Sequence, residues 1–334
     1  MSSVAPAASR RPVRTLMASH VRRNLALSLP YIGALGVFVG GASFVDGFGS
    51  GDSLDNIFAL TAVLAVVAGS QTLVIIGGGI DLSVPWTMTG SGILTSYLAK
   101  TQDDALLWVV PLVLGLAVLV GVANGIGITV LAIHPIVMTL AMDVILSGAV
   151  ILYALGATSQ TQTPPLLESV VSGSVLGVPA YVFVLIGTAL VFSLILSLTR
   201  YGRRLYAVGT SASVSRLSGV NVKAVIVLSY VLSSVAAAIA GMLLLGYVSN
   251  AFFGMGDPYL FTSISAVVVG GASILGGSGH FIGTLGGALL IVVSNALLIT
   301  LNLGAGAISI FYGLIILVSV IILSDPIREL VRRY

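Results

Sequence analysis

The side chains able to do chemistry are few, and most are acids and amides set in apolar surroundings. The run Ile76-Gly77-Gly78-Gly79-Ile80-Asp81-Leu82-Ser83-Val84-Pro85-Trp86 interrupts a long apolar stretch with three glycines, a carboxylate, a hydroxyl and a proline. Glycine permits positive φ and close backbone approach. Asp81 and Ser83 are of the type that accepts bonds from the free N–H groups of a helix start, and Pro85 suits the first turn of the helix that follows. The run therefore ends one helix, exposes a polar turn and starts another. In a membrane such backbone is tolerated only where it is buried in protein or faces a water-filled cavity or the membrane surface. Two readings follow. Either Asp81, Ser83 and Trp86 belong to a solute pathway or its gate, or the run is an interfacial loop with Asp81 as a helix cap. Asp143 poses the same choice within another apolar segment. A carboxylate in hydrocarbon costs about 2.5–3.5 kcal/mol on insertion scales, so it must face the bundle interior, pair or take a proton. It would be a ligand for solute hydroxyls, a proton site or a hydrogen bond to a neighbouring helix. Asn124 and Asn295 lie late in two further apolar segments.

Other chemistry is excluded. His134 and His280 sit at turns, and no two histidines share metal-ligand spacing. No Ser-His-Asp arrangement is present, and no Gly-xxxx-Gly-Lys-Ser/Thr phosphate loop appears, so ATP is not bound by that route. The chain has no cysteine, hence no disulfide framework and no thiolate metal site. No basic patch carries the interleaved aromatics that would suggest nucleic acid.

These residues must be positioned by helices in a membrane. Of the 334 residues 57% are hydrophobic and 7% charged, where soluble domains carry roughly 25% charged residues. Mean hydropathy is +1.13, and several apolar runs reach the roughly 18–20 residues that span a bilayer. The expected fold is all-α and polytopic, with ten spans near 25–45, 57–77, 85–99, 107–131, 136–155, 179–199, 224–248, 260–275, 282–300 and 305–323. With the N-terminus inside, inner segments hold 13 of the 14 basic residues and only Lys100 falls outside, as the positive-inside rule requires. Asp46, Asp52, Asp55, Asp103, Asp104, Glu168 and Asp257 fall in outer segments. Residues 1–24 read as an uncleaved, disordered cytoplasmic arm, residues 25–323 as the membrane domain and 324–334 as a cytoplasmic tail. The basic inner loop 200–223, with Leu205, Val208, Ala212 and Leu217 among polar residues, reads as a short surface helix, or as a topology anchor touching only lipid head groups.

Spans 2–5 and 7–10 form two four-span blocks of opposite sense. The second member of each is short: Gly90 and Gly92 are expected to break one, Gly270 and Gly271 the other. An acid, a proline and an aromatic precede each, Asp81 with Pro85-Trp86 and Asp257 with Pro258-Tyr259. The third members carry Gly121 with Gly125 and Gly283 with Gly287. Short broken segments in matching positions of an inverted repeat point to a transport site.

At this point the residues resemble a known family. Gly78-Gly79-Ile80-Asp81-Leu82-Ser83-Val84, Asn124-Gly125 with Pro135 and Thr139-Leu140, Gly202-Arg203 with Ala207-Val208-Gly209 and Ser218-Gly219-Val220-Asn221, and Gly270-Gly271-Ala272-Ser273 with Gly276-Gly277-Ser278-Gly279 are similar to the ribose/xylose/galactofuranose-type ABC transporter permeases. The match runs in order from about residue 57 to 320, and Gly-Ile-Asp-Leu-Ser is its most specific part. The resemblance implies a membrane subunit of a bacterial sugar importer in the cytoplasmic membrane. It would pair with a second permease, of the same or a different kind, receive solute from a solute-binding protein outside and engage two ATPase subunits inside. ATP is then used by the partner, and the chain binds no cofactor of its own. Loop 200–223 resembles the family's coupling loop, with Gly202, Arg203, Gly209, Ser218 and Gly219 as the ATPase contact. The chain departs from the family pattern at Pro85-Trp86, at Ile136 and Ser147, and in lacking the usual Asn and Glu near Thr210–Ser213. The rivals are an ion- or proton-coupled secondary transporter using Asp81 or Asp143, and a scaffolding membrane protein. No nucleophile–base or metal constellation supports an enzyme.

Overall fold

A computed structural model describes residues 13–155 and 162–323. The tail expected at 324–334 and the first half of the arm expected at 1–24 lie outside the described residues. The rest of that arm joins α1, which runs from Val13 to Phe44.

The long helices are α1 (Val13–Phe44), α2 (Gly51–Ile76), α4 (Leu106–Thr129), α5 (Pro135–Leu155), α7 (Ala180–Leu198), α10 (Val222–Val248) and α12 (Phe281–Thr300). Each of these seven contains a stretch long and apolar enough to cross a membrane. Three further apolar helices join them: the shorter α3 (Val84–Ala99) and α11 (Tyr259–Val269), and α13 (Ala305–Leu323). The chain is an all-α polytopic membrane protein. At one end of the bundle lie α8 (Arg200–Thr210) and α9 (Ala212–Leu217), here called the basic end. At the opposite, acidic end lie α6 (Pro165–Ser172) and a hairpin of β1 (Ser174–Val175) and β2 (Val178–Pro179), the only strands among the described residues.

Two helices form the frame. α2 is almost wholly enclosed, and α10 packs along α2, α3 and α4. Glycine makes the closest approaches possible. A Cβ on Gly121 or Gly125 of α4 would meet the α10 backbone at Val231 or Val227, so the paired glycines let the two backbones touch. Gly283 and Gly287 of α12 do the same against Gly270 and Ala266 of α11. The two glycine pairs thus serve different neighbours. α1 lies along α12 and is tied to it by the Tyr31 hydroxyl, which donates to the Ile282 carbonyl at 2.7 Å.

Two expectations need correction. Gly90 and Gly92 do not break α3, which is continuous from Val84 to Ala99. They instead admit Val150 and Met255 to its surface. Gly270 and Gly271 do not interrupt a span to 275 but end α11 at Val269. Gly271 takes φ +88 and donates to the Val268 carbonyl while Ala272 donates to that of Val267. That pair of bonds is a Schellman ending. α2 stops the same way: Gly78 has φ +87 and donates to Ile75, and Gly79 donates to Val74.

Both short helices start inside the bundle. After α2 reaches the basic end, the chain folds back until Asp81 is level with Gln71, and α3 begins there. After α10 reaches the acidic end, residues 249–258 turn back down until Gly256 lies against Pro85 and donates to Thr89 Oγ1 at 3.0 Å. From there α11 runs to the basic end. Asp257, expected in an outer loop, is therefore carried deep beside α3.

Candidate functional site

The polar centre is built around the start of α3. The Gln71 side chain donates to the Asp81 carbonyl at 2.6 Å and so fastens the returning segment to α2. The Asp81 carboxylate then gathers three donors. Oδ1 accepts from the Ser83 backbone N–H at 3.0 Å and from Ser83 Oγ at 2.6 Å, and Oδ2 accepts from Ser233 Oγ of α10 at 2.7 Å. Asn124 of α4 donates to Ser83 Oγ at 2.9 Å. Asp81, Ser83, Asn124, Gln71 and Ser233 are all fully buried. Asp81 and Ser83 thereby tie α2, α3, α4 and α10 together.

The cap chemistry differs in detail from the sequence reading. Ser83 occupies the N-cap position of α3 but makes no side-chain cap bond. Asp81 takes the Ser83 N–H instead, and the Asp143 carboxylate of α5 lies near the backbone N–H of Trp86. Two carboxylates so serve the positive end of one short helix, where the peptide dipoles offset part of the cost of their burial. Thr139 of α5 sits beside the same segment, 3.3 Å from the Ile80 carbonyl. The Asn124 carbonyl oxygen, Asp143 Oδ1 and the Tyr230 hydroxyl, which lies against Gly79, have no hydrogen-bond partner.

Of the six residues expected on a pathway or gate, Asp81, Ser83 and Asn124 form one network, and Asp143 lies beside it near the Trp86 backbone. The Trp86 side chain makes no bond in this network. It lines an apolar cavity of ≈ 340 Å³ between α3, α4 and α5, with Val113, Val120, Leu146 and Tyr153. Asn295 stands apart, in a cavity of ≈ 160 Å³ with Tyr259, Thr262 and Tyr312. Sequence reasoning missed Gln71 and Ser233. Gln71 carried a usable signal, a primary amide inside an apolar run, where an unbonded polar group is costly. Ser233 carried none, because serine is common in packed membrane helices. Among the described residues no group of His, Cys, Asp or Glu could hold a metal ion.

At the basic end, α8 starts with Thr199 accepting from the Gly202 N–H at 2.9 Å. Its buried face rests on both glycine-rich turns. Leu205 packs on Gly77, and Gly209 lies against the Ile76 carbonyl and the Gly277 N–H. Those last two groups bond each other at 2.9 Å, linking the end of α2 to the turn after α11. The Tyr206 hydroxyl donates to the Gly279 carbonyl at 2.7 Å. Burial pushes the Tyr206 phenol above its ordinary value, so it remains a neutral donor through the physiological range. Gly202 and Gly209 thus face the bundle, where a side chain at either would strike backbone. Arg203, Ser218 and Gly219 face outward. On α9, Ser215 is buried while Leu217, 89% exposed, and Val214 face outward.

A multi-pass helical bundle with short helices that start at buried polar turns, and with a surface helix seated on those turns, is the architecture of a membrane transport protein. Comparison gives the particular family. Residues 53–323 match the family described as branched-chain amino acid transport system / permease component, and the chain belongs to it. It is similar to the ribose import permease protein RbsC of Haemophilus influenzae, 33% identical over 277 residues, 82% of this chain and 85% of the relative. It is also similar to the fructose import permease protein FrcC of Rhizobium meliloti, 30% identical over 298 residues, 86% and 81% of the two chains. The galactofuranose transporter permease protein YtfT of Escherichia coli is 36% identical over 250 residues, 74% and 72%. No solved structure matches. The chain is thus the permease component of an ABC importer, a multi-pass inner-membrane subunit, with ATP hydrolysis carried by a partner subunit.

Proposed function

We propose that this permease moves a sugar or a similar small hydroxylated solute, delivered by a solute-binding protein, through a pathway completed by a second permease. ATPase subunits at the basic end drive the cycle, and the chain itself binds no cofactor. The observation that carries this reading is the seat of α8. One surface helix touches the turn that leads into α3 and the turn that follows α11, so a push on its outer face reaches both short helices. The relatives' names supply the solute class, and both termini are assigned to the cytoplasm by the basic residues flanking the spans.

On this reading α8 and α9 are the ATPase contact. Arg203, Ser218 and Gly219 stand on the contact side, while Gly202 and Gly209 seat the helix on the bundle. Asp81, Ser83 and Asn124 brace the gate, Trp86 and Asp143 flank it, and Asn295 lines a separate cavity. The membrane domain, about 25–323, has ten crossing or partly crossing segments in an inverted repeat, α2 to α5 and α10 to α13. What supports the repeat is that α3 and α11 each follow a segment that folds back into the bundle from opposite ends.

The test is mild extraction from the native membrane, mass spectrometry of the co-purifying chains, and uptake of a panel of labelled pentoses and hexoses by the reconstituted complex. A stoichiometric phosphate-loop ATPase and uptake that needs ATP and survives an uncoupler are expected. A preparation of this chain alone that moves solute on an imposed ion gradient would overturn the proposal.

A further inference from the structure

Asp257 occupies an unusual place for a carboxylate. It is exposed on the surface of the chain, yet its neighbours set it deep. Gly256 touches Pro85 and bonds Thr89, and those residues lie 10 to 14 positions before the acidic end of α3 at Ala99. At about 1.5 Å per residue that is about 15–21 Å below that end. α10 gives the same answer: its Gly241 meets Met88 of α3, seven residues or about 10 Å below Val248, and Pro85 lies lower still. The hydrocarbon core is about 30 Å thick, so Asp257 stands near its middle. The segment is held there by buried Ala251 and Met255 and by the turn in which the Asp257 N–H donates to the Gly254 carbonyl at 2.9 Å.

Among the described residues nothing compensates the charge. Among the described residues no hydrogen bond or ion pair reaches the Asp257 carboxylate, and the one charged group near it is the like-charged Asp143. A bare carboxylate facing lipid at this depth costs about 2.5–3.5 kcal/mol even on insertion scales, and intramembrane acids face a bundle interior or a water-filled cavity. We infer that Asp257 lines the solute pathway, facing water at mid-membrane depth on a wall that the second permease closes from the other side. The inference rests on the permease reading above and adds a residue to it. A carboxylate held there accepts hydrogen bonds from solute hydroxyls, and the symmetry of two like copies would set a second one across the pathway. Phe252, Phe253 and Phe261, each more than half exposed, lie on the same re-entrant segment and the following turn of α11. They supply apolar faces beside the acid.

The absence of cysteine from the sequence makes the test direct. Asp257→Cys and, as a lipid-facing control near the middle of α7, Leu190→Cys are assembled with the cognate ATPase in proteoliposomes. Both are exposed to a charged, membrane-impermeant methanethiosulfonate. A thiol in an aqueous pathway reacts and one in lipid does not, so Cys at 257 is expected to react at least about tenfold faster than Cys at 190. Trapping the complex with ATP and orthovanadate should slow the reaction at 257 severalfold. An unreactive position 257 would place it against lipid or protein, and a reactive one indifferent to trapping would place it on an outer loop. Either result overturns the inference. Asp257→Asn gives a second readout: assembly and ATPase content unchanged, uptake reduced about tenfold or more, equivalent to about 1.4 kcal/mol. Wild-type uptake by that variant also overturns it. If the unmodified chain neither binds an ATPase nor shows ATP-dependent uptake, the failure lies with the permease reading instead.

Discussion

Asp81 separates two physical roles that the sequence left open, a structural acceptor or a working acid. In the structure its carboxylate accepts three bonds, two on Oδ1 from Ser83 and one on Oδ2 from Ser233. Asp81→Asn keeps the shape. Its amide oxygen takes the place of Oδ1 and retains both Ser83 bonds, and its amide nitrogen faces Ser233 Oγ, a hydroxyl able to rotate from donor to acceptor. Only the second amide N–H is left without an acceptor. Asp81→Ala leaves the Ser83 N–H and two hydroxyls buried without their acceptor, at about 1–3 kcal/mol for each group that finds no substitute. That is a large share of the roughly 5–15 kcal/mol that holds a domain folded. Asp81→Asn should assemble with the ATPase, melt within a few degrees of wild type and transport within about threefold of it, less than 1 kcal/mol. Asp81→Ala should lower the melting temperature strongly or fail to assemble. Fluorescence-detected size exclusion on a temperature ramp reads the first quantity, and uptake in proteoliposomes the second. An Asp81→Asn complex that assembles with native stability but does not transport would refute the reasoning. The charge itself would then be needed, as for a proton or solute site.

Three further outcomes follow from the contacts. A Cβ at Gly209 would meet the Ile76 carbonyl and the Gly277 N–H, and overpacking of this kind costs about 1–3 kcal/mol. Gly209→Val should therefore lift α8 from both turns and cut coupled uptake about tenfold or more while the ATPase still co-purifies; normal uptake would show that the seat does not transmit motion. Arg203 is exposed, and its guanidinium reaches only the nearby Leu198 carbonyl, at 3.2 Å, among the described residues, so Arg203→Glu should change stability by no more than about 0.5 kcal/mol. It should still uncouple transport, with binding-protein docking intact in a pull-down. At Gly125 an added Cβ would strike the α10 backbone at Val227, whereas Gly187 of α7 has open space; Gly125→Leu should lower the melting temperature by several degrees and Gly187→Leu should leave it unchanged.

The parts of the fold legible in the sequence were those that hydropathy and turn chemistry control. Helix ends at Ile76, Val84, Pro135, Val222 and Thr300 fall within a few residues of the expected bounds, because polar and glycine-rich breaks in an apolar run leave little choice. What glycine does inside a run was not legible. Gly90 and Gly92 look the same in sequence as Gly270 and Gly271, yet one pair admits neighbouring side chains to a continuous helix and the other ends a helix. The difference lies in what packs against them, which is tertiary information. The depth of Asp257 was hidden for the same reason: only the contact of Gly256 with Pro85 shows that the segment folds back. Charge counting found the basic face of α8, but a helix with arginines on one side does not reveal which turns lie under the other. For Asp81 and Asp143 the rule that buried charge must be served was right, and the partners that serve it, a serine of α10 and the backbone of α3, were beyond a linear reading.

The division between rigid and movable parts follows from the same contacts. Where α4 meets α10 and α11 meets α12, backbone touches backbone through glycine, and a displacement of even an ångström there would need to open a close-packed face. Asp81 adds a buried polar clamp among α2, α3, α4 and α10. α5 is attached differently. It packs mainly on α3 and α4 and exposes most of its surface, and its polar ties to the centre are Thr139 at the Ile80 carbonyl and Asp143 at the Trp86 N–H. Moving α5 therefore breaks few contacts, and both of its polar ties end on the segment from Ile80 to Trp86. That segment begins at the turn on which α8 rests. A shift of α8 against Ile76 and Gly77 would pass by covalent connection to the start of α3, and from there to α5, which has little else to hold it.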